Sequence, residues 1–192
     1  MKYRLTTYQS KDAVEKLLKD GYLILSKSQR HLTHLAREDG KDYNHFEFPY
    51  AYMMEEMKKR LPLPVHDDAY YPIWAWYKCN GRYQCSKKMD EIHHGLVKLI
   101  IEIDENRVLL SDFDMFASII LGSRTLYEDG RNDEDEITVH NYDSFFHPTL
   151  ANIFKLHRKQ DHYYGFSYRG ETIQATFFEL YKEDIKEIIY PK

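Results

Sequence analysis

The stretch Tyr70-Tyr71-Pro72-Ile73-Trp74-Ala75-Trp76-Tyr77 carries both tryptophans of the chain, two positions apart. If it forms a β-strand, successive side chains point to opposite faces of a sheet, so Trp74 and Trp76 share one face. Two indoles on one side of a sheet form either a wall of the core or a platform on which a flat ligand stacks. The sequence leaves both interpretations open.

Composition places the chain among soluble globular proteins. Its 192 residues suit one domain, and 43% hydrophobic with 30% charged residues is typical of a protein with a core. The 17 tyrosines predict either a tyrosine-rich core or a partly hydrated aromatic pocket, since tyrosine buries area and keeps a polar tip. The net charge of −4 disfavours nucleic-acid binding, which needs a basic surface. Because no apolar run could cross a bilayer or act as a signal core, we expect a cytoplasmic protein without membrane contact.

The first residues predict a strand, a helix and a second strand. Residues 3–8 form the first strand and lead to Ser10, a residue type that favours helix N-termini. Apolar side chains follow at helical spacing, and Gly21 is placed to end the helix in the left-handed conformation. Residues 22–25 then predict the second strand.

Pro49 suits the first turn of a second helix. Tyr50, Met53, Met54 and Met57 follow at positions i, i+3, i+4 and i+7, so they form one apolar face. Methionine-rich faces pack against a sheet or, because methionine adapts its shape, against a binding partner. Packing against the sheet is the simpler interpretation here.

The later strands are predicted from apolar runs between turn signals. Asn80-Gly81 favours a tight turn after the tryptophan strand. Residues 96–103 and 108–110 predict two strands, and residues 173–181 predict the last long one.

The remaining elements are predicted from caps and charge. A serine or aspartate at 111–114 would cap a helix, Pro148 would open another, and the acidic segment 128–136 predicts a mobile surface loop. Helices and strands alternate without regular βαβ spacing, so the predicted fold class is α+β. We expect a single domain over residues 1–192, with a mixed or antiparallel sheet of short strands flanked by several helices.

Ten histidines and two cysteines raise the question of a metal site. His93 and His94 are adjacent and would point apart on a strand or a helix. Cys79 and Cys85 form no Cys-x-x-Cys pair, which a structural zinc site normally contains. We therefore expect no metal, and we expect both thiols to be reduced in the cytoplasm.

The common catalytic motifs do not occur in the sequence. It contains no glycine-rich phosphate loop, no Gly-x-Ser-x-Gly elbow and no His-Glu-x-x-His pattern. This excludes P-loop hydrolases, classical esterases and zinc proteases of that type. Polar residues do follow Leu109-Leu110, where Asp112 is either a functional carboxylate or a simple helix cap.

Several blocks together resemble a family catalogued as domain of unknown function 3841. They are Thr7-Tyr8-Gln9-Ser10 with the helix that ends at Gly21, Tyr71-Pro72-Ile73-Trp74-Ala75-Trp76, Leu109-Leu110-Ser111-Asp112-Phe113, and Ile173-Gln174-Ala175-Thr176-Phe177-Phe178-Glu179-Leu180. The resemblance spans almost the whole chain and implies an origin in bacterial or phage genomes. It implies no particular activity.

The opening strand, helix, glycine and strand are also similar to the start of ADP-ribosyltransferase folds. In those folds a His or Arg followed by Thr holds the NAD ribose, and Arg4, Thr6 and Thr7 stand in that place. The late strand of such folds carries Gln/Glu-x-Glu, whereas this chain has Gln174-Ala175-Thr176. Thr176 therefore replaces the catalytic glutamate of the family pattern. Transferase activity would require another carboxylate, for which Asp112, Glu171 and Glu179 are the candidates.

Two hypotheses of different classes follow. In the first, the domain binds a nucleotide-type ligand such as NAD or ADP-ribose, as a divergent ADP-ribosyltransferase-like protein without the usual catalytic glutamate. Three aromatic residues would stack on the base or the nicotinamide ring, and three polar residues would bind the ribose or the amide. The aromatic residues are Tyr71, Trp74 and Trp76, and the polar residues are Thr6, Gln9 and Gln174.

In the second hypothesis, the chain is a non-enzymatic phage or mobile-element factor that binds a host protein. The acidic segment 128–136 and exposed tyrosines would carry this contact, since aromatic side chains anchor many interfaces. An exposed aromatic patch would favour this reading. A concave site that contains Thr6, Trp76 and Gln174 would favour the first.

Overall fold

The computed structural model describes residues 1–32, 47–83, 85, 87–113, 116, 154 and 171–191. Its strands and helices form an α+β domain, as the sequence predicts. The strands are β1 (Lys2–Gln9), β2 (Tyr22–Leu23), β3 (Ile73–Lys78), β4 (Val97–Asp104), β5 (Leu109–Asp112), β6 (Ile173–Phe177), β7 (Leu180–Tyr181) and β8 (Ile185–Ile189). The α-helices are α1 (Lys11–Asp20), α2 (Glu47–Arg60) and α3 (Lys87–Ile92), and short 3₁₀ segments cover Lys27–Leu32, Glu105–Arg107 and Lys182–Asp184.

Six strands form one antiparallel sheet in the order β5-β6-β3-β1-β4-β8. β2 and β7 pair separately as a two-stranded antiparallel ribbon. None of the helices in the described ranges is long and apolar enough to cross a membrane.

The local signals at α1 determine where that helix begins and ends. The Ser10 hydroxyl accepts a hydrogen bond from the Ala13 N–H at 3.2 Å, which satisfies one of the open donors of the first turn. Gly21 has a φ of 85° and donates its N–H to the Leu17 carbonyl at 3.0 Å. Both predicted helix boundaries are confirmed.

One face of the large sheet packs against α1 and is here called the helix face. Along β4, Val97, Leu99, Ile101 and Ile103 are buried while the residues between them are not, because side chains alternate across a strand. Ala13, Val14 and Leu17 of α1 are buried in the same cluster. Other residues of the helix face are Leu5, Ile73, Ala75, Ala175 and Phe177.

The opposite side of the sheet carries both tryptophans and is here called the tryptophan face. Trp74 packs between two buried rings, Tyr50 of α2 at 5.3 Å and Phe116 at 5.0 Å between ring centroids. Burial raises the pKa of the Tyr50 phenol. A hydrogen bond from the Trp74 indole N–H would lower this pKa, but the N–H lies outside hydrogen-bonding geometry, so the effect of burial prevails. Trp74 is therefore a wall between the sheet and α2.

The apolar face predicted for α2 is confirmed, since Tyr50, Met53, Met54 and Met57 are all buried. The tight turn at Asn80-Gly81 is also confirmed, because both residues have positive φ, 47° and 77°.

Two predictions about element boundaries are wrong. Residues 173–181 do not form one strand, because the chain leaves the large sheet after Phe177 and pairs Leu180 and Tyr181 with β2 instead. The strand predicted at 108–110 has other bounds, because β5 spans Leu109–Asp112 and pairs Ser111 with Gln174 and Asp112 with Ile173. Phe113 is helical, so Asp112 still stands directly before a helical residue. The predicted loop 128–136 and the predicted helix after Pro148, apart from Phe154, lie outside the described residues.

Candidate functional site

Four residues lie in one row across the tryptophan face. The register places Ser111 of β5 opposite Gln174 of β6. Gln174 lies opposite Trp76 of β3, which lies opposite Thr6 of β1. Directly opposed residues of antiparallel strands point to the same face, and neighbouring strands are about 4.8 Å apart. The four residues therefore form a strip that is about 14 Å long, here called the polar row.

Trp76 is the aromatic member of the polar row. Its ring lies 4.8 Å from the Phe113 ring at 71°, an edge-to-face arrangement. Trp76 is half-buried, whereas Ser111, Gln174 and Thr6 are buried. The row thus combines one accessible indole with hydroxyl and amide groups on both sides of it.

Gln174 is held in a defined orientation. Its Nε2 donates a hydrogen bond to Ser111 Oγ at 2.9 Å, and both residues are buried. Since the amide nitrogen is engaged, the rotation of the amide plane is fixed, and its oxygen remains as an acceptor in a constant direction. Only 3% of the Gln174 surface is exposed and none of Ser111, so the role that this hydrogen bond has in the sheet is to join β5 to β6.

Positive charge lies beside the Thr6 end of the polar row. Arg4 is two residues before Thr6 on β1, so it points to the same face, about 7 Å along the strand. Its Nη1 lies 3.8 Å from Glu102 Oε1, and the other oxygen of Glu102 lies 3.8 Å from Lys186 Nζ. Glu187 lies opposite Ile100, the neighbour of Thr6, so two cations and two carboxylates lie at this edge, with Arg4 as the cation on the same strand as Thr6.

Three of the sequence-predicted binding residues, Thr6, Trp76 and Gln174, are brought together in the polar row, and Trp74 lies next to it as the wall. Gln9 points to the helix face, where its Nε2 donates to Thr7 Oγ1 at 2.7 Å. Tyr71 precedes β3 and packs against Tyr50 at 6.4 Å. Gln9 and Tyr71 therefore lie apart from the row.

The carboxylate candidates also lie apart from the row. Asp112 is buried and adjacent to Ser111 on β5, so it points to the helix face. The backbone carbonyl of Glu171 accepts a hydrogen bond from Gly81 N–H at 2.7 Å, at the end of the β3 hairpin. None of the four residues of the polar row is itself a carboxylate.

Glu179 belongs to a separate cluster beside β7. Its Oε1 accepts the backbone N–H of His66 at 2.7 Å and lies 2.7 Å from His66 Nδ1, while its Oε2 accepts the Tyr181 hydroxyl at 2.7 Å. Burial opposes ionisation, but these hydrogen bonds lower the pKa of Glu179 below its usual value. The His66 ring also stacks on Tyr22 of β2 at 3.8 Å. Both carboxylate oxygens of Glu179 are thus engaged in joining the segment before β3 to the small ribbon.

A second polar cluster lies on the tryptophan face around Tyr8. The Tyr8 hydroxyl donates to Asp90 Oδ1 at 2.6 Å, and Lys98 Nζ donates to the same oxygen at 2.7 Å. The His93 ring stacks on Tyr8 at 4.3 Å. Among the described residues, no hydrogen-bond partner is found for the buried His93 Nε2. This ring is therefore held in an environment that disfavours its charged form.

We expect the stability of the protein to fall as the pH is lowered through the titration of His93. Burial depresses the pKa of His93 below 6.5, so the unfolded chain binds a proton before the folded chain does. The free energy of unfolding should therefore decrease from about pH 7.5 towards pH 5. Urea unfolding of the wild type and of His93→Gln across this range should show a shallower pH slope in the variant. The matched control is His94→Gln at the exposed neighbouring position, and an equal slope in all three proteins would contradict this assignment.

Ser111, Phe113 and His66 are among the residues of these sites that the sequence analysis did not identify. The predicted strand ended at residue 110, which left Ser111 outside it, and Leu109-Leu110-Ser111-Asp112 has no apolar–polar alternation that would extend the strand. His66 carries no local signal, because its partner Glu179 is distant in sequence.

Groups of His, Cys, Asp and Glu that could hold a metal ion are not found in the described ranges. Comparison with curated proteins found no match, and comparison with solved structures found no match. The family described as Domain of unknown function (DUF3841) matches residues 4–186. The matched residues include the polar row, Trp74 and the Glu179 cluster. The chain therefore belongs to the DUF3841 family.

Proposed function

We propose that the polar row binds a nucleotide-type ligand of the NAD or ADP-ribose kind. The observation that supports this most is the strand register, which aligns Thr6, Trp76 and Gln174 on one face. In the proposed complex the base or nicotinamide ring stacks on Trp76. The Gln174 amide and the Thr6 hydroxyl bind the polar edge or the ribose.

The charge beside the row supports the same ligand class. Arg4 lies beside the Thr6 end of the row, where its guanidinium would contact a phosphate group of the ligand in exchange for Glu102. The protein has a net charge of −4, so its surface as a whole is not basic and Arg4 is a local cation. A single phosphorylated small molecule fits such a local charge better than a nucleic-acid backbone.

The proposal is binding without ADP-ribosyl transfer. Thr176 stands where the transferase pattern has its glutamate, and its Oγ1 donates to the Leu109 carbonyl at 3.4 Å in a fully buried position. Because Asp112 points to the other face and Glu179 is engaged by His66 and Tyr181, neither is placed to stabilise an oxocarbenium-like ribose at the row.

The test is a calorimetric and thermal-shift titration of the full chain with NAD, ADP-ribose, ATP and mononucleotides. A ligand that binds only the folded state raises the melting temperature by mass action. Base–aromatic stacking contributes about 1–3 kcal/mol, so Trp76→Leu should weaken binding by roughly 5- to 150-fold. The control is Tyr70→Leu, which removes an exposed aromatic ring outside the row and should leave the affinity unchanged.

Arg4→Gln separates the phosphate contact from the stacking contact. It should weaken the binding of phosphorylated ligands and leave the binding of the matching nucleoside unchanged. If none of these ligands binds the wild type, the proposal is wrong, and the hypothesis of a non-enzymatic, protein-binding factor takes its place.

A further inference from the structure

The two cysteines are brought together by the hairpin that follows β3. Cys79 and Arg82 exchange backbone hydrogen bonds of 2.7 and 3.0 Å across Asn80-Gly81. Positive φ at both central residues is the signature of a type I′ turn, which reverses the chain tightly. The returning chain places Cys85 Sγ 2.8 Å from Cys79 Sγ. Both cysteines are free thiols.

A β-bulge in β3 decides which face Cys79 occupies. Trp76 pairs with Gln174 but Lys78 pairs with Ile173, so one extra residue is inserted between them. Tyr77 and Lys78 then lie on the same side, since both contact the Tyr83 ring, at 5.3 and 5.5 Å. The next residue, Cys79, consequently returns to the tryptophan face. Without the bulge the alternation would direct it to the helix face.

The two thiols differ in access and in environment. Cys79 is buried, with 5% of its surface exposed, whereas Cys85 is half-buried. The Cys79 thiol, the Thr6 hydroxyl and the positive charge of Lys98 lower the pKa of Cys85. Tyr8 adds no hydrogen bond of its own there, because its one hydroxyl proton is donated to Asp90. The same contact with Cys85, together with burial, raises the pKa of Cys79.

We propose that Cys79 and Cys85 form a thiol–disulfide exchange site for small disulfides, in which Cys85 attacks and Cys79 resolves. The more exposed thiol is the one that an incoming disulfide can reach, and the buried thiol lies behind it within reach of its sulfur. Paired thiols of this kind in a reducing compartment are characteristically transient and redox-active rather than structural. Nearby hydroxyl and ammonium groups are the setting in which a cysteine becomes reactive.

The exchange balances in two steps. The Cys85 thiolate attacks one sulfur of a disulfide R–S–S–R, forms a mixed disulfide and releases one thiolate RS⁻. Cys79, once deprotonated, attacks Cys85 Sγ, breaks the mixed disulfide and releases the second RS⁻. The protein loses two protons and two electrons, and the small disulfide becomes two thiols after RS⁻ takes up the protons. The reverse reaction returns the protein to the dithiol.

The test uses oxidised glutathione with the full chain and reads products by intact mass after alkylation of the remaining thiols. The wild type should form the internal disulfide without accumulating a glutathione adduct. Cys79→Ser should trap one glutathione on Cys85, and Cys85→Ser should react at least about tenfold more slowly. Circular dichroism of each variant verifies that it is folded. Equal reactivity of the two single variants, or no adduct on Cys79→Ser, would overturn the proposal.

A second measurement separates this role from mere proximity of two thiols. The rate of Cys85 alkylation in the Cys79→Ser background should depend on pH, and Lys98→Met should move its midpoint upward because the thiolate loses a neighbouring positive charge. An unmoved midpoint would contradict the assigned role of Lys98. If zinc binds tightly and protects both thiols of the wild type from oxidised glutathione, the pair is a metal site. This result would overturn the proposal of thiol–disulfide exchange.

Discussion

Replacing Trp74 with alanine should lower the free energy of unfolding by about 3–5 kcal/mol, because the change empties a space between two buried aromatic rings. Tyr50 and Phe116 each lose a direct ring contact, and neither helix nor sheet can close the gap without moving the other. Urea unfolding followed by circular dichroism measures the effect.

Trp76→Ala is the matched comparison on the same strand and the same face. Its indole contacts Phe113 edge-on and is not part of the packed cluster around Trp74, so we expect a loss of about 1–2 kcal/mol. Equal losses at the two positions would show that both indoles are walls of the core. The polar row would then lack the accessible stacking surface on which nucleotide binding depends.

Replacing Asp184 with alanine should lower the free energy of unfolding by about 2–4 kcal/mol, since breaking a buried ion pair leaves an unpaired charge. Asp184 is buried and accepts hydrogen bonds from Arg107 Nη1 at 3.1 Å and Nη2 at 3.0 Å. It also accepts the backbone N–H of Tyr181 at 3.0 Å. We place the value below the upper end of the range for buried pairs because the Arg107 side chain keeps 28% of its surface exposed to water.

Glu183→Ala is the control, because it removes an exposed carboxylate one residue away and should change stability by less than about 0.5 kcal/mol. The double variant Asp184→Ala with Arg107→Met should be less destabilised than the sum of the single changes, since it removes the unpaired guanidinium as well. A loss in the Asp184 variant no larger than that of the control would mean that the pair does not hold β7 and β8 in place.

Features set by neighbouring residues could be predicted from the sequence. The limits of α1 follow from Ser10 and Gly21, the turn from Asn80-Gly81, and the apolar face of α2 from methionines at helical spacing. Each of these signals acts within a few residues, so the rest of the fold does not need to be known.

Features set by strand pairing could not be predicted in the same way. Thr6, Trp76 and Gln174 were each recognised, but nothing in their local sequence says that they share a row, because register depends on the whole sheet. Ser111 was left out of the row because the predicted strand ended at residue 110, two residues before the end of β5. The bulge after Trp76 has no local sequence signature either. The contact between Cys79 and Cys85 depends on this bulge, so the sequence did not predict it.

The order of the sheet also has a consequence for how the chain folds. β6 inserts between β5 and β3, and β8 covers the outer side of β4, so residues 173–189 complete the sheet at two separate places. Until they dock, only β3, β1 and β4 can assemble, and both outer strands of that trio expose open backbone donors and acceptors. Pairings between strands so far apart in sequence form slowly because a long loop must close first. We therefore expect the slowest step of folding to be the pairing of β6 with β3 and of β8 with β4, and the chain to associate most readily before this step.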